Sequence, residues 1–206
     1  NVTVNDLLTC MATGNDLNDG PLTVAYAWTS TGGSTNSTAT WQLDNSISGT
    51  GDTFTCTATV TDNNGTTASS NSSVTIQNTT PQCSGVVITP NTGVVTNTPL
   101  TCTATFTDAE DGNITPTYDW TVGSNSVSTS STYTVSANDT NVGDSILCTA
   151  TAIDSDSQST SDFSSVTVDN TDPTLTNVTI NSASGTLYND DVLTCSATVS
   201  DPDEVV

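Results

Sequence analysis

Apolar and polar residues alternate with a period of two through long stretches of this 206-residue chain. The clearest stretch is LTCTATFTD, residues 100–108, in which Leu, Cys, Ala and Phe fall on one face of a strand and threonines fall on the other. Residues 54–60 and 146–152 repeat this alternation, and turn-rich segments such as TSTGGSTNS separate the apolar rows. Because no stretch carries a helical period, the pattern predicts an all-β protein.

The alternating segments recur at a fixed distance along the chain. Cys10 and Cys102 lie 92 residues apart in LTCxAT frames, Trp28 and Trp120 are also 92 apart, and a third such frame holds Cys195. About 92 residues is a common length for a β-sandwich domain. The repeat predicts three domains: residues 1–80 without their first strand, a complete domain over 81–172, and the start of a third over 173–206.

The order of cysteine and tryptophan within each period resembles the immunoglobulin-like sandwich. More closely, LTCTATFTDAEDG, YDWTV and CTATAID are similar to the tandem immunoglobulin-like repeats of bacterial and archaeal cell-surface, extracellular filament and adhesin proteins. The similarity covers the whole chain. It departs from antibody-type domains at Phe54 and Ile146, which stand where those domains have a tyrosine two residues before the second cysteine.

The resemblance implies a disulfide framework. Cys10 should pair with Cys56, and Cys102 with Cys148, beneath the two tryptophans. Such bonds favour an oxidising, extracytoplasmic compartment. Cys83 has Leu175 at its equivalent position, and Cys195 starts a repeat whose second half does not follow. These two cysteines are therefore expected to be unpaired or to form intermolecular links.

The repeat boundaries leave incomplete domains at both ends of the chain. Asn1 aligns with Gly93, and Val206 falls shortly after the first cysteine strand of the third repeat. One interpretation is a window on a longer tandem array. The other is a subunit whose end domains are completed by strands from neighbouring subunits. Both interpretations predict an extended assembly in which like subunits or neighbouring repeats are the partners.

Composition removes several classes of function. The formal charge is −22, with no Lys, Arg or His. Phosphate backbones and anionic membrane surfaces attract proteins through Lys and Arg, so neither nucleic-acid binding nor membrane insertion is expected. Catalysis would have only carboxylate pairs to use, and nothing in the sequence resembles the enzymes that work with them. We therefore expect no enzymatic activity.

Acidic residues follow the cysteine strands at a constant distance. An aspartate lies six residues after each of five cysteines, and strand order brings two of these strand ends together at one pole of a sandwich. Clustered carboxylates without a cation suit Ca²⁺, which takes six to eight oxygen ligands. The other interpretation is a solvated acidic rim. The candidate ligands in the second repeat are Asp108, Glu110, Asp111, Asp154 and Asp156.

Glycosylation is the second candidate chemistry, because Ser and Thr occupy 73 positions in a chain with no Lys. Sugars on hydroxyl and amide groups would explain the solubility of a surface so poor in charge. The outward threonines Thr101, Thr103 and Thr105 are candidates for O-linked glycans. The N-x-S/T acceptors are Asn1, Asn36, Asn64, Asn71, Asn78, Asn113, Asn138 and Asn177.

The sequence thus predicts a non-enzymatic, extracellular structural protein that forms a surface fibre, stalk or filament. One alternative is an adhesin whose loops bind a cell-surface ligand or glycan. Another is a spacer within a larger secreted enzyme.

Overall fold

The computed structural model describes residues 1–182, 185, 187 and 189–204. All regular elements among these residues are β-strands. No part of the chain that the structure describes forms a helix long and apolar enough to cross a membrane. The predicted all-β fold class is confirmed.

The first sandwich is built from strands of residues 1–80. The sheet that carries the second cysteine has the order β5-β4-β7-β8, and the facing strands pair as β1-β6 and β2-β3. Trp28 lies directly opposite Cys56 in the β4–β7 ladder. The strands are β1 (Leu7–Thr9), β2 (Gly14–Asp16), β3 (Gly20–Leu22), β4 (Val24–Ser30), β5 (Thr35–Asn36), β6 (Thr40–Gln42), β7 (Thr53–Thr61) and β8 (Thr67–Thr75).

The second sandwich repeats this arrangement and adds one strand. One sheet has the order β13-β12-β15-β16, and the other has the order β11-β10-β14 with β9 also paired to β10. Trp120 lies opposite Cys148, as Trp28 lies opposite Cys56. The strands are β9 (Gln82–Thr89), β10 (Pro99–Asp108), β11 (Gly112–Ile114), β12 (Thr117–Val122), β13 (Asn125–Ser128), β14 (Thr132–Thr134), β15 (Ser145–Ile153) and β16 (Ser159–Thr167).

The 92-residue period holds at the level of single hydrogen bonds. The bounds of β7 and β15 differ by 92 at both ends, as do those of β8 and β16. The indole N–H of Trp28 donates to the Thr38 carbonyl at 2.9 Å, and that of Trp120 donates to the Ser130 carbonyl at 2.9 Å. The sequence repeat is therefore a structural repeat.

Each sandwich holds its own apolar core under a disulfide. Both predicted bonds are present, Cys10–Cys56 and Cys102–Cys148, each closing a separation of 46 residues. The first core is organised by edge-to-face contacts of Trp41 with Trp28 and Phe54, at centroid distances of 6.1 and 5.0 Å. The second core buries Trp120, Ile146 and Leu100 completely. The inward rows read from the alternation are thus confirmed where they form the cores.

A strand pair follows the second sandwich. β17 (Thr174–Ser182) pairs antiparallel with β18 (Leu193–Ser200), with Ile180 opposite Cys195. The apolar side chains of this pair, among them Leu175 and Ile180, are largely exposed.

Contacts between Cα atoms group the chain into two compact units. The first contains Asn1–Gln82, Phe106–Ile114 and Ile153–Thr160, and the second contains the remaining segments. The first unit therefore includes the turn after β10 and the turn after β15, which the sequence assigned to the second repeat. The predicted boundaries after residues 80 and 172 remain predictions.

Candidate functional site

The predicted acidic cluster lies in the first compact unit, in the turn that follows β10. Asp108 ends this strand, and its Oδ1 accepts the backbone N–H groups of Glu110 at 2.9 Å and Asp111 at 3.1 Å. Gly112 closes the turn with φ 73°, a conformation that glycine adopts without a steric penalty. A short carboxylate that bonds its own turn fixes the direction in which Glu110 leaves the strand.

Glu110 binds a threonine of the segment between β8 and β9. Its Oε2 accepts the backbone N–H of Thr79 at 3.1 Å and the Thr79 hydroxyl at 2.5 Å. The same hydroxyl lies 3.4 Å from Oδ2 of Asp108. The second Glu110 oxygen, Oε1, is buried without a hydrogen-bond partner among the described residues. The Thr79 N–H and hydroxyl thus both donate to the same carboxylate oxygen.

Asp154 makes a second anchor for the same segment. It follows β15, is only 6% exposed, and accepts the Gln158 backbone N–H on Oδ1 at 2.7 Å. Its Oδ2 accepts the side-chain amide of Asn78 at 2.9 Å. Hydrogen bonds from neutral donors to a carboxylate are stronger than those between neutral groups, so Asp154 is a strong anchor for Asn78.

Asp111 joins the two turns. It accepts the backbone N–H of Ser155 at 2.7 Å and the Ser155 hydroxyl at 2.9 Å. The equivalent contact in the first sandwich runs from Asn63 to Asp19, with an N–H bond of 3.1 Å and a side-chain bond of 2.8 Å. In each sandwich an aspartate at the equivalent position, Asp19 or Asp111, therefore links these two turns.

The arrangement bears on the predicted Ca²⁺ ligands. Asp156 is exposed on the turn after β15. The other four each accept a hydrogen bond from the linker or from the turn after β15: Asp108 and Glu110 from Thr79, Asp154 from Asn78, and Asp111 from Ser155. Their oxygens accept N–H and O–H donors, which occupy lone pairs that a cation would need. No group of three or more acidic, histidine or cysteine side chains in the described part of the chain is arranged to hold a metal ion. Calcium binding stays a prediction.

Asp203 forms the corresponding contact at the next linker. Its Oδ2 accepts both the N–H and the hydroxyl of Thr171 at 2.6 Å, and its Oδ1 accepts the Thr96 hydroxyl at 2.7 Å. The hydrogen bond from the Thr171 side chain, followed by that from its backbone, lowers the pKa of Asp203 below the ordinary value of 3.8. The ionised form is the one that these donors stabilise.

The sequence did not single out the donors of this site. Asn78, Thr79, Ser155 and Thr171 are small polar residues in a chain crowded with them. A signal did exist, because Thr79 and Thr171 stand 92 residues apart in the linker motifs NTTP and NTDP.

The two remaining cysteines are free thiols in this structure. Cys83 is half-buried on β9, and its sulfur accepts the Gly85 N–H at 3.4 Å. Cys195 is exposed on β18. An intermolecular link through either thiol remains a prediction.

The glycan acceptors differ in accessibility. Thr101, Thr103 and Thr105 are exposed on β10, as their outward assignment predicts. Six of the asparagine acceptors are exposed, and Asn36 and Asn78 are half-buried. Asn78 is the special case, because the nitrogen that would carry a sugar is bonded to the buried Asp154.

An apolar groove opens on the first sandwich. Its volume is about 520 Å³, and Leu8, Trp28 and Val74 contribute to its walls. None of its lining residues is acidic.

Comparisons with known proteins give a structural likeness and no family. A scan against protein-family models finds no match, and a search of curated proteins finds none either. Among solved structures, the three N-terminal domains of the highly immunogenic outer capsid protein (Hoc) of bacteriophage RB49 match at 16% identity and a TM-score of 0.33. The match covers 97% of this chain and 66% of the Hoc chain, so this chain spans slightly less than two thirds of the length of the Hoc chain.

Proposed function

We propose that this chain belongs to an extracellular structural protein, a fibre, stalk or filament of tandem immunoglobulin-like sandwiches that carries glycans. The observation that carries the proposal is the repetition of one sandwich at a period of 92 residues, down to the disulfide and the tryptophan N–H bond. Arrays in which each unit contacts only its neighbours grow in one dimension without a new fold.

The two disulfides support the extracellular part of this proposal. Such bonds persist in oxidising compartments and are rare where thiols are kept reduced. A cell-surface location is the specific form that we propose, by likeness to the tandem repeats of surface proteins.

The surface chemistry favours a scaffold over an enzyme. The described carboxylates at the acidic turns accept structural hydrogen bonds, and the chain has no His, Lys or Arg to act as a base or to stabilise an oxyanion. The partners that we propose are like subunits or neighbouring repeats.

The edge strands supply the reason for glycans. β8 is a nine-residue edge strand, TASSNSSVT, in which seven consecutive residues are exposed and none is charged. Unprotected edges of this kind invite pairing with other chains, and proteins commonly block them with charge. Asn71 is an acceptor at the centre of β8, so a sugar there would block the edge that the sequence leaves uncharged.

Imaging of native material by electron microscopy tests the structural proposal. We expect elongated particles with a bead repeat of roughly 35 to 45 Å, the length of a sandwich of this size by strand rise. Compact particles of uniform size would contradict it.

Glycopeptide mapping of the same material tests the sugar. Asn71 and Asn64 should be occupied, whereas Asn78 should be bare because its amide nitrogen is engaged by Asp154. Bare peptides at all eight acceptors, together with bare Ser and Thr, would remove the glycan from the proposal and leave the fibre standing.

A further inference from the structure

The two linkers of the chain show the same contact, made by residues at equivalent positions. Thr79 and Thr171 are 92 residues apart, and each donates its N–H and its hydroxyl to a single carboxylate oxygen. The acceptors, Glu110 and Asp203, each stand two residues after an aspartate at the end of a cysteine strand: Asp108 is the last residue of β10, and Asp201 comes directly after β18.

The aspartates that precede the acceptors also act alike. Asp108 Oδ1 accepts the Glu110 N–H at 2.9 Å, and Asp201 Oδ1 accepts the Asp203 N–H at 3.0 Å. Each aspartate thus bonds its own turn and positions the next acid toward the linker. The acceptor itself differs, Glu in one copy and Asp in the other, so what recurs is the carboxylate and its place.

We propose that these residues form a linker latch, a conformational device in which a threonine of each linker is held by the second acid after the cysteine strand. The first copy is Thr79 with Glu110, in the first compact unit, and the second is Thr171 with Asp203, in the second unit. The proposal does not depend on glycans or on assembly into a fibre.

The latch works because both donors of one residue converge on one charged oxygen. Fixing the N–H and the hydroxyl of a threonine orders its backbone and its side chain together, in a segment that has no strand ladder of its own. A carboxylate oxygen accepts two donors more strongly than the oxygen of an amide of the same shape.

The contacts beside Thr79 are not part of the recurring device. Asn78 bonds Asp154, and the Thr80 hydroxyl bonds Gln158 at 2.9 Å, whereas Asn170 donates to the Thr171 carbonyl at 2.9 Å. Both linkers share the threonine, the acid that holds it and the aspartate that positions this acid, which separates the latch from the local packing of either linker.

Amide hydrogen exchange on the full chain, resolved by NMR, tests the latch. In Glu110→Gln the Thr79 amide should exchange at least about tenfold faster while the Thr171 amide keeps its rate, as expected for a lost bond to a charged group. Asp203→Asn should give the reverse. The matched controls, Asp156→Asn and Glu204→Gln, change exposed acids and should leave both amides unaffected.

A second pair of variants, Thr79→Val alone and combined with Glu110→Gln, separates loss of the latch from a general loss of folding. Thr79→Val removes the hydroxyl at constant shape, and its effect on exchange should be largely absent once Glu110→Gln is present, because the two changes break the same contact. Tryptophan fluorescence confirms that both cores stay folded. The latch is overturned if exchange at Thr79 and Thr171 is no faster in the acid variants than in the controls. It is also overturned if the effects of Thr79→Val and Glu110→Gln on exchange simply add in the double variant.

Discussion

The two sandwiches share one frame and differ at one edge of it. In the second, β9 pairs with β10, and Val86 and Ile88 pack on a core in which Cys102 is 1% exposed and Val166 is 5% exposed. In the first, the equivalent residues Cys10 and Val74 are only half-buried, and the groove lies over them. In the second sandwich β9 therefore contributes Val86 and Ile88 to the cover of the core.

The two sandwiches also differ in the continuity of the strand that carries the first cysteine. β10 runs without interruption through Cys102, whereas its counterpart is divided into β1 and β2 with Cys10–Thr13 between them. The side-chain alternation is similar in both stretches, so it does not explain the break. In the second sandwich the middle of β10 lies against β9, where the Thr103 hydroxyl reaches the Val87 carbonyl at 3.5 Å. A strand needs a partner for its backbone groups as well as a suitable pattern.

The largest effect on the free energy of unfolding is expected from removal of each disulfide. Both close the same 46-residue separation, so the loop-entropy contribution should be equal, about 4 kcal/mol for either sandwich. Chemical denaturation of the Cys10→Ala/Cys56→Ala and Cys102→Ala/Cys148→Ala variants measures it. Mild reduction of the unaltered chain should cleave Cys10–Cys56 first, because Cys10 is the less buried sulfur. Faster cleavage of Cys102–Cys148 would contradict the difference in burial.

Alkaline pH should affect only the second sandwich through its core aromatic residue. Burial, with a further contribution from Asp139, which accepts the phenol at 3.2 Å, raises the pKa of Tyr133 to about 12. The neutral phenol is therefore favoured in the folded state. The stabilisation that comes from the neutral phenol is complete below about pH 10 and is lost as the pH rises from about 10 to about 12.

Trp41 stands at the position of Tyr133 in the first sandwich and does not titrate. Unfolding of the unaltered chain and of Tyr133→Phe is compared by tryptophan fluorescence from about pH 9 to about pH 12, the range in which tyrosine titrates. Tyr133→Phe should abolish the loss in the second sandwich. If this variant keeps the full alkaline transition, the phenol is not its cause.

A smaller effect is expected from truncating the equivalent valines. Val166→Ala removes buried methyl groups and should cost about 2 kcal/mol, whereas Val74→Ala should cost less than half of that. Urea denaturation of the two variants gives the comparison directly. Equal costs would mean that the groove side of the first core is as well packed as the second.

The smallest effect concerns the groove itself. A peptide with the sequence of β9, Gln82–Thr89, should bind the first sandwich, since β9 covers the equivalent residues of the second. Binding should raise the stability of the first sandwich by about 1.4 kcal/mol when the free peptide is about tenfold above its Kd. The control is the same peptide with aspartate in place of Val86 and Ile88. Equal effects of the two peptides on stability would contradict specific binding.

Much of the framework could be predicted from the sequence. Alternation and the 92-residue repeat identified the inward rows, and the resemblance to immunoglobulin-like sandwiches supplied the pairing of Cys10 with Cys56 and of Cys102 with Cys148. These features are encoded locally, by the period of a strand and the spacing of rare residues. Tryptophan and cysteine are informative because the chain has so few of them.

The linker contacts could not be predicted in the same way. Only the recurrence of its linker motif separates Thr79 from the other 45 threonines, and its partner Glu110 is 31 residues away in the sequence. The acids were expected to share a cation or solvent, and the donors that satisfy them came from a segment that alternation does not describe. Long-range polar contacts depend on how turns meet after folding, which a periodic pattern does not record.

We propose that this chain is the repeated, sugar-bearing part of an extracellular structural protein, and the intact mass of the native material tests this proposal most directly. We expect a mass per 92-residue repeat clearly above that of the bare polypeptide, in particles that contain many repeats. A particle at the unmodified mass of the polypeptide, with no more repeats than this chain contains, would contradict it.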